Sequence, residues 1–277
     1  MDRDFCKKYY KAVKNDSHGS IPVKDAIIVE EALQININAK PYTVTMRTPG
    51  SDEALIRGLL FTEGIYSGST QPNLKIVDHT KDGIPSSIGV WIAHDNIEEG
   101  FYQSRSMISV SSCGICGKRE LSDILIDGKI LSTTDKLTPA MVSNMLIVMK
   151  DKQIAFKETG GSHAAAAFDL NGVLLAIEED IGRHNAVDKV IGDLLNTNTL
   201  EKATCMLVSG RVSFEIVSKT YKAGIPFLAA VSSPSSLSIE TADAMGITLM
   251  AFCRDRALTC YSHSDRIITN NIQVLTP

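Results

Sequence analysis

The sequence contains no apolar run of the roughly 18 to 20 residues that a membrane-spanning helix requires, and its net charge of −4 provides no overall basic field. Its first ten residues carry charges but are not followed by the apolar core of a signal peptide. These absences predict a cytoplasmic protein with no nucleic-acid or membrane partner. Because cytoplasmic thiols stay reduced, we expect the six cysteines to be packed, catalytic or metal-binding rather than a disulfide framework.

The length of the chain and the order of its predicted strands and helices indicate an α/β fold in two domains. The chain has 277 residues, 44% of them apolar, which is enough for a sizeable core. After a loose, polar lead-in over residues 1–22, strand-like alternation, a hairpin turn at Asn38 and a helix capped by Ser51 predict an α+β domain over 23–110. Residues 111–137 are expected to connect it to a second domain over 138–277. There, strands and helices alternate, Asp180 is expected to cap a helix, and the sheet should be largely parallel.

Small polar and basic residues follow the predicted strands of the second domain. In open α/β sheets, ligands bind beyond the carboxyl ends of the strands. Free N–H groups, hydroxyls and guanidinium groups at those ends suit a phosphate or pyrophosphate. The candidates after the first two such strands are Ser209, Gly210, Arg211 and Ser232. The alternative is that the serines only cap helices and that the arginine is solvated.

Two further basic positions point to an anion. Arg183 and His184 fall in the first turn of a predicted helix, where positive charge opposes the helix dipole unless an anion binds nearby. His163 follows a glycine turn and precedes four alanines. It is either a buried hydrogen-bonding residue or a general acid or ligand group, and the pattern alone leaves both open.

The segment S-S-C-G-I-C-G-K-R places Cys113 and Cys116 in C-x-x-C spacing, next to two basic residues. Such surroundings lower a thiol pKa and favour the nucleophilic thiolate. A structural zinc site would need two more soft ligands, and no second C-x-x-C exists. A zinc deaminase would need a glutamate where Ala165 stands, so that enzyme is excluded. Thioredoxin-like exchange remains open, but a thiolate that carries a sulfur atom fits the glycines and cations best.

The chain resembles the formate dehydrogenase accessory sulfurtransferase (FdhD) family. The resemblance spans roughly residues 27–268 and rests on the C-x-x-C segment together with the stretches T-G-G-S-H-A-A-A, E-D-I-G-R-H-N-A-V-D-K, V-S-G-R-V-S-F-E and A-F-C-R-D-R-A-L-T-C-Y-S-H. It implies a C-terminal cytidine deaminase-like three-layer α/β domain without a metal site, a smaller N-terminal α+β domain, and a homodimer.

The resemblance also implies an activity. Members are sulfurtransferases that accept a persulfide sulfur from a cysteine desulfurase and pass it to the bis-molybdopterin guanine dinucleotide molybdenum cofactor, which formate dehydrogenase needs. Cys113 would carry the persulfide, and Cys116 would relay sulfur or resolve the persulfide. The cofactor, or a guanine nucleotide such as GDP that mimics it, would occupy a strand-end pocket that includes Phe252, Cys253, Arg254, Asp255, Arg256 and Ala257.

One position departs from the family pattern. Members commonly carry an arginine three residues after the position of Arg254, where this chain has Ala257, with Arg256 one position earlier. Arg256 is therefore the expected replacement. Two rival functions remain open: a non-catalytic cofactor-binding chaperone, and a C-x-x-C redox or zinc module.

Overall fold

The structure is a computed structural model that describes residues 5–68, 70–98 and 129–269. Across these residues the chain forms three β-sheets and six α-helices, with short 3-10 turns between some of them. The sheets are a two-stranded ribbon, a four-stranded sheet and a six-stranded sheet. None of the helices in these ranges is long and apolar enough to cross a bilayer.

The two-stranded ribbon replaces the loose lead-in expected over residues 1–22. Strands β1 (Lys7–Asp16) and β2 (Gly19–Ile28) pair antiparallel along their full lengths. The turn between them is fixed by the Asp16 carboxylate, which accepts a hydrogen bond from the His18 backbone N–H at 2.8 Å. The polar composition hid this element, because both faces of the ribbon are largely exposed and no apolar/polar alternation marks an inner side.

The N-terminal α+β unit contains a mixed sheet in the order β4-β3-β6-β5. Its strands are β3 (Glu31–Ile37), β4 (Lys40–Arg47), β5 (Asn73–His79) and β6 (Pro85–Trp91), and helix α1 (Asp52–Thr62) covers one face. The predicted hairpin at Asn38 is confirmed, with Asn38 and Ala39 both at positive φ. Ser51 occupies the N-cap position of α1 as predicted, but its side chain does not cap the helix: Ser51 has φ 54° and its hydroxyl donates to Glu178 at 2.7 Å.

The C-terminal unit is a three-layer α/β domain. Its sheet has the order β12-β11-β10-β9-β7-β8, in which β9, β10 and β11 are parallel and the other neighbouring pairs are antiparallel. The bounds of the strands are β7 (His163–Phe168), β8 (Leu174–Asp180), β9 (Cys205–Val208), β10 (Phe227–Ala230), β11 (Thr248–Arg254) and β12 (Ala257–Cys260). The predicted β-α-β-α-β run is therefore confirmed.

Helices pack on both faces of this sheet. One apolar core lies beneath α4 (Arg183–Asn196), α5 (Phe214–Lys222) and α6 (Ser236–Met245), and a second lies beneath α2 (Pro139–Lys152), which the short α3 (Ile154–Thr159) follows. Residues of α2 at a spacing of three to four face the second core, as the sequence predicts for Val142, Met145, Leu146 and Met149. The expected two-part α/β architecture is confirmed.

Helices α1 and α4 cross at very short distance and join the two units. A Cβ atom built on Gly58 would lie 1.8 Å from the carbonyl oxygen of Asp188, and one on Gly192 would lie 1.8 Å from that of Ala54. Only glycine permits this approach. The position of α4, and of whatever its N-terminus carries, is therefore set against the N-terminal unit.

Candidate functional site

The predicted ligand-binding residues of the C-terminal domain lie along one edge of the six-stranded sheet. The parallel strands β9, β10 and β11 end at this edge, and so does β8, while β7 begins there. The edge thus carries the segments that follow β8, β9, β10 and β11 and the one that precedes β7. Neighbouring strands are about 4.8 Å apart, so the β7 and β11 positions are separated by roughly 14 Å. This length exceeds a single phosphate and suits an extended anionic ligand.

A basic cluster forms at the β7–β9 side of the edge. His163 begins β7, Arg183 begins α4, and Gly210 and Arg211 follow β9. A Cβ on Gly210 would lie 3.2 Å from Nδ1 of His163 and 3.4 Å from Cβ of Arg183, so glycine lets the three segments meet. Burial lowers the pKa of His163, and the charges of Arg183 and Arg211 lower it further against the opposing effect of Asp180. His163 is therefore neutral at pH 7 and lies in a positive field.

Arg183 places a buried, unsatisfied donor in this cluster. Its Nε atom is buried and has no hydrogen-bond partner among the residues that the structure describes. A buried donor left without an acceptor costs about 1–3 kcal/mol. The carboxylate of Asp180, at the end of β8, already accepts from the backbone N–H of Gly182 and from Lys189. A phosphate oxygen at this position would satisfy the orphaned donor, which is the fit that an anionic ligand requires.

Glu179 fixes the turn that places His163, a role that the sequence did not reveal. Its carboxylate accepts hydrogen bonds from the backbone N–H groups of Ala155 and Phe156, at 2.7 and 2.8 Å, and from the Ser162 hydroxyl at 2.8 Å. All three bonds form next to the start of β7, and the Glu179 side chain is buried. Glu179 thus ties the N-terminus of α3 and the glycine turn after it to the sheet.

Both predicted serines make hydrogen bonds within the fold, one through its hydroxyl and one through its backbone. The Ser209 hydroxyl accepts from the backbone N–H of Ala164 at 2.9 Å, which closes β7 onto β9. The Ser232 carbonyl accepts from the backbone N–H of Phe252 at 3.3 Å. Both residues are only partly exposed, and Ser209 commits its hydroxyl to the sheet whereas Ser232 commits its carbonyl.

The segment from Phe252 to Ala257 comprises the end of β11, the turn at Asp255 and Arg256, and the first residue of β12. Phe252, Asp255 and Arg256 all have positive φ, between 46° and 65°, so the chain reverses tightly there. The side chains of Arg254, Asp255, Arg256 and Ala257 are exposed, and Phe252 is 38% exposed. The structure therefore presents both arginines on an open turn at the far end of the edge from Arg183.

Cys253 belongs to this stretch but faces the other way. Its side chain is buried in the core beneath α2, and burial raises its pKa to about 11. Only its backbone can contribute to the edge. The prediction grouped Cys253 with its basic neighbours along the chain. Successive residues of a strand face opposite sides of the sheet, so its side chain points away from theirs.

His184 and Asp180 differ from the expectations for the start of α4. The His184 ring is buried, with Nε2 3.1 Å from the Ser213 hydroxyl and 3.7 Å from a Glu215 carboxylate oxygen. It therefore holds the segment after β9 rather than projecting from the edge. The predicted Asp180 cap is wrong: Gly182 occupies the cap position, and Asp180 ends β8 as a buried carboxylate.

Asp180 instead joins the two units of the protein. Its carboxylate accepts from the backbone N–H of Thr48 at 3.1 Å and from Lys189 Nζ at 2.8 Å, and Lys189 also donates to the Thr48 carbonyl at 2.9 Å. A second buried pair, Asp188 with Lys219 at 2.8 Å, includes the hydroxyl of Thr62 at the end of α1. The structure uses these buried charges to fasten α4 to the N-terminal unit.

Cys113 and Cys116 lie outside the described residues. The described chain on either side is anchored: the backbone N–H of Glu98 donates to the Ile65 carbonyl at 2.9 Å, and that of Leu131 donates to the Met245 carbonyl at 2.9 Å. Within the ranges that the structure covers, no three His, Cys, Asp or Glu side chains are grouped as metal ligands.

The protein is thus of the two-unit α/β class. A three-layer α/β domain carries basic residues at its strand ends and is fastened to a small α+β unit. Among solved structures, one from Desulfotalea psychrophila, assigned provisionally as a formate dehydrogenase accessory protein, has the same fold: the TM-score is 0.74 at 23% identity, over 95% of this chain and all of that one.

Sequence comparison gives the family. The model of the FdhD/NarQ family matches residues 28–268, and this chain belongs to that family. A protein of Mycolicibacterium paratuberculosis named "Sulfur carrier protein FdhD" is 41% identical, over 88% of this chain and 92% of its own length. A protein of the same name from Thermoplasma acidophilum is 40% identical, over 90% of this chain and 89% of its own length. The resemblance found in the sequence is confirmed.

Proposed function

We propose that this protein is a sulfur carrier that accepts a persulfide sulfur from a cysteine desulfurase and delivers it to the bis-molybdopterin guanine dinucleotide cofactor of formate dehydrogenase. Relatives that bear the name of a sulfur carrier support the coarse role, and a provisionally assigned formate dehydrogenase accessory protein shares the fold. The persulfide loading and the binding of the cofactor are argued below from the cysteines and basic residues of this chain.

The distribution of thiols is the observation that supports the proposal best. Four of the six cysteines are described: Cys6, Cys205 and Cys253 are buried and Cys260 is half-buried. Burial raises the pKa of each, to about 11 for Cys253, so none is a thiolate at neutral pH. A reactive thiolate is thereby left to Cys113 and Cys116, next to Lys118 and Arg119 in the sequence.

The proposed loading step needs no external oxidant. The Cys113 thiolate attacks the terminal sulfur of the donor persulfide, so one S–S bond forms, one breaks, and the donor leaves as a thiolate. Release of that sulfur as sulfide requires two electrons. Attack by Cys116 on Cys113 supplies them and leaves a Cys113–Cys116 disulfide, which a cellular dithiol must then reduce.

The strand edge would hold the cofactor, which is the substrate here. Arg183, Arg211 and the neutral ring of His163 would bind phosphate oxygens, and Arg183 Nε would gain its missing acceptor. Arg254 and Arg256, on the exposed turn, would bind a second anionic part of the same ligand. Holding the cofactor in place raises the effective concentration of a persulfide tethered to the same protein.

Intact-mass measurement tests the carrier step. After incubation with a cysteine desulfurase and free cysteine, we expect an added mass of about 32 Da, one sulfur atom, mapped to the peptide that contains Cys113. The Cys113→Ala variant should lose it, and the matched Cys260→Ala variant should keep it. Loading of Cys113→Ala equal to that of the wild type would contradict the assignment of the persulfide to Cys113, and a wild type that gains no mass would favour the chaperone.

Calorimetry with GDP tests the binding step. Arg183→Gln should weaken GDP by about tenfold or more, since a charge-assisted hydrogen bond is worth roughly 1.5–3 kcal/mol. Lys150→Gln, an exposed residue at the end of α2, provides the control of equal charge change. Equal affinity of both variants would remove the Arg183 assignment.

A further inference from the structure

A group of three polar side chains lies where the segment after β9 enters α5, next to the proposed ligand edge. The Nε2 atom of His184 lies 3.1 Å from the Ser213 hydroxyl and 3.7 Å from a carboxylate oxygen of Glu215. His184 and Glu215 are buried, whereas Ser213 is partly exposed. Ser213 is therefore the member of this group that a ligand can reach.

The backbone holds Ser213 at the edge. The N–H of its neighbour Val212 donates to the Ser233 carbonyl at 3.1 Å, which joins the segment after β9 to the one after β10. These two parallel strands end side by side at the edge. His184 directly follows Arg183, so its contact places Ser213 beside the first turn of α4, where the buried Arg183 Nε has no partner among the described residues.

The Ser213 hydroxyl is not used in the way that its position in the chain suggests. Ser213 is the N-cap residue of α5, and a serine there usually accepts a hydrogen bond from an N–H group of the first helical turn. Its side chain makes no such bond and contacts His184 instead. The helix thus lacks the stabilisation of a side-chain cap, and local rules of this kind are broken mainly at functional sites.

The Glu215 carboxylate sets the direction of the bond between His184 and Ser213. At 3.7 Å it is too far from Nε2 for a hydrogen bond, but its negative charge favours the imidazole tautomer with the proton on that atom. Nε2–H then donates to the Ser213 oxygen at 3.1 Å. Because the serine oxygen accepts this bond, its own proton is left to donate to another acceptor.

The same three residue types form the triads of hydrolases, but their arrangement here is different. In a triad the carboxylate holds Nδ1 of the imidazole, and the serine approaches Nε2 on the other side of the ring. Here the serine and the carboxylate both lie on the side of Nε2. His184 is therefore placed to donate to Ser213 rather than to remove its proton, which makes Ser213 a binding group and not a nucleophile.

We propose that Ser213 is a further ligand-binding residue of the strand edge, and that His184 and Glu215 are positioning residues that turn its hydroxyl proton towards a phosphate oxygen of the bound nucleotide. The inference rests on the proposed binding of the cofactor at this edge. Ser213 adds a neutral donor to the charged donors of Arg183 and Arg211. Its fixed direction favours a group that only accepts hydrogen bonds, as phosphate oxygens do, over one that donates them.

Calorimetry with GDP tests the role of Ser213. Ser213→Ala should weaken GDP by about tenfold, because a hydrogen bond to a charged group is a strong one. Ser235→Ala is the matched control. It removes the hydroxyl of another N-cap serine at the same edge, one that does cap its helix, and it should bind GDP as the wild type does.

Variants of His184 separate positioning from a general effect on folding. Measured below its thermal transition, His184→Leu should lose about as much affinity as Ser213→Ala. The double variant should lose no more than either alone, because His184 acts through Ser213. His184→Gln, whose side-chain amide can still donate to Ser213, should retain most of the affinity even if the leucine variant does not fold. Losses that multiply in the double variant, or a His184→Gln variant as weak as Ser213→Ala, would overturn the positioning role.

The outcomes also distinguish this inference from the proposed function. If Arg183→Gln weakens GDP but Ser213→Ala does not, Ser213 takes no part in binding, and only the present inference fails. If the wild type itself binds no GDP, the proposed binding step fails and the role of Ser213 fails with it.

Discussion

Replacement of Gly58 by alanine should destabilise the protein through the crossing of α1 and α4. The added methyl would lie 1.8 Å from the carbonyl oxygen of Asp188, whereas side-chain Cβ atoms essentially never approach other atoms within 3.0 Å. The two helices would have to separate by about 1.2 Å, the difference between these distances. The bond from Thr62 on α1 to Asp188 on α4, at 2.8 Å, would lengthen with it, and any shift of α1 would also disturb the bond from Lys219 on α5 to Thr62 at 2.9 Å.

The expected magnitude follows from two opposing effects. Overpacking of a well-packed contact costs about 1–3 kcal/mol, occasionally more, and strained buried bonds add to that cost. Alanine in place of glycine within a helix gains about 1 kcal/mol. We therefore expect a net loss of about 2 kcal/mol, measured by urea unfolding, and a lower melting temperature by roughly 4–8 °C.

Gly192→Ala supplies a check from the other helix, since it should cost about as much. The double variant should lose less than the sum, because helices already forced apart accommodate the second methyl more easily. Gly83→Ala is the control: it adds a methyl to a turn at positive φ with nothing within 4 Å, so only backbone strain is expected. If the free energy of unfolding of Gly58→Ala lies within about 0.5 kcal/mol of the wild-type value, the helices cannot cross as closely as described.

Three further predictions concern single side chains. Lys189→Met should cost about 3–5 kcal/mol in urea unfolding, because it leaves the Asp180 carboxylate buried without its cation; a loss below 1 kcal/mol would contradict this. Burial, together with Glu178, raises the pKa of Asp193 to about 7, so the folded protein binds the extra proton and stability falls as pH rises from about 4 to 7. Asp193→Asn should abolish about 1–2 kcal/mol of that fall, a discounted figure for a partly exposed group; an unchanged pH profile from pH 5 to 8 would exclude it. Ser235→Ala should cost about 1 kcal/mol in thermal unfolding, because the Ser235 hydroxyl caps α6 through the Ser238 N–H at 3.2 Å; an equal loss in Ser236→Ala would argue against the cap.

The sequence allowed prediction of the elements whose pattern is local. The strands β9, β10 and β11 are short apolar runs separated by amphipathic helices, and the Asn38 hairpin has its turn residues in place. For the same reason the strand-end positions of Gly210, Arg211 and Arg254 could be expected at one edge. Parallel strands joined by helices bring their carboxyl ends together whatever the remaining contacts are.

The parts that could not be predicted depend on contacts between distant residues. Asp180 and Lys189 meet Thr48, more than 130 positions away, and nothing local separates such a buried pair from a solvated one. Asp188 and Lys189 between the apolar Val187 and Val190 did carry a signal, because charged side chains on a buried stripe need partners. Gly58 and Gly192, each inside a predicted helix, were a second signal. A glycine there costs about 1 kcal/mol of helix stability, so its presence suggests a close contact that only glycine allows.

Helix α4 couples the joint between the two units to the proposed ligand edge. Its first residue, Arg183, lies at the edge, and Asp188 and Gly192, five and nine positions on, contact α1. A helix moves as a rigid unit over such distances, so a displacement of about 1.2 Å at Asp188 would carry Arg183 with it. Charged hydrogen bonds to a bound group tolerate only about 0.5 Å of misplacement.

Gly58→Ala should therefore weaken GDP binding although Gly58 contacts no part of the edge. We expect a loss of about tenfold by calorimetry, measured below the melting transition, where the variant is folded. Ser235→Ala, which destabilises the domain without moving α4, should bind GDP as the wild type does. If Gly58→Ala loses stability but retains affinity, Arg183 either adjusts independently of α4 or takes no part in binding, and the coupling of the edge to the joint through α4 would have to be abandoned.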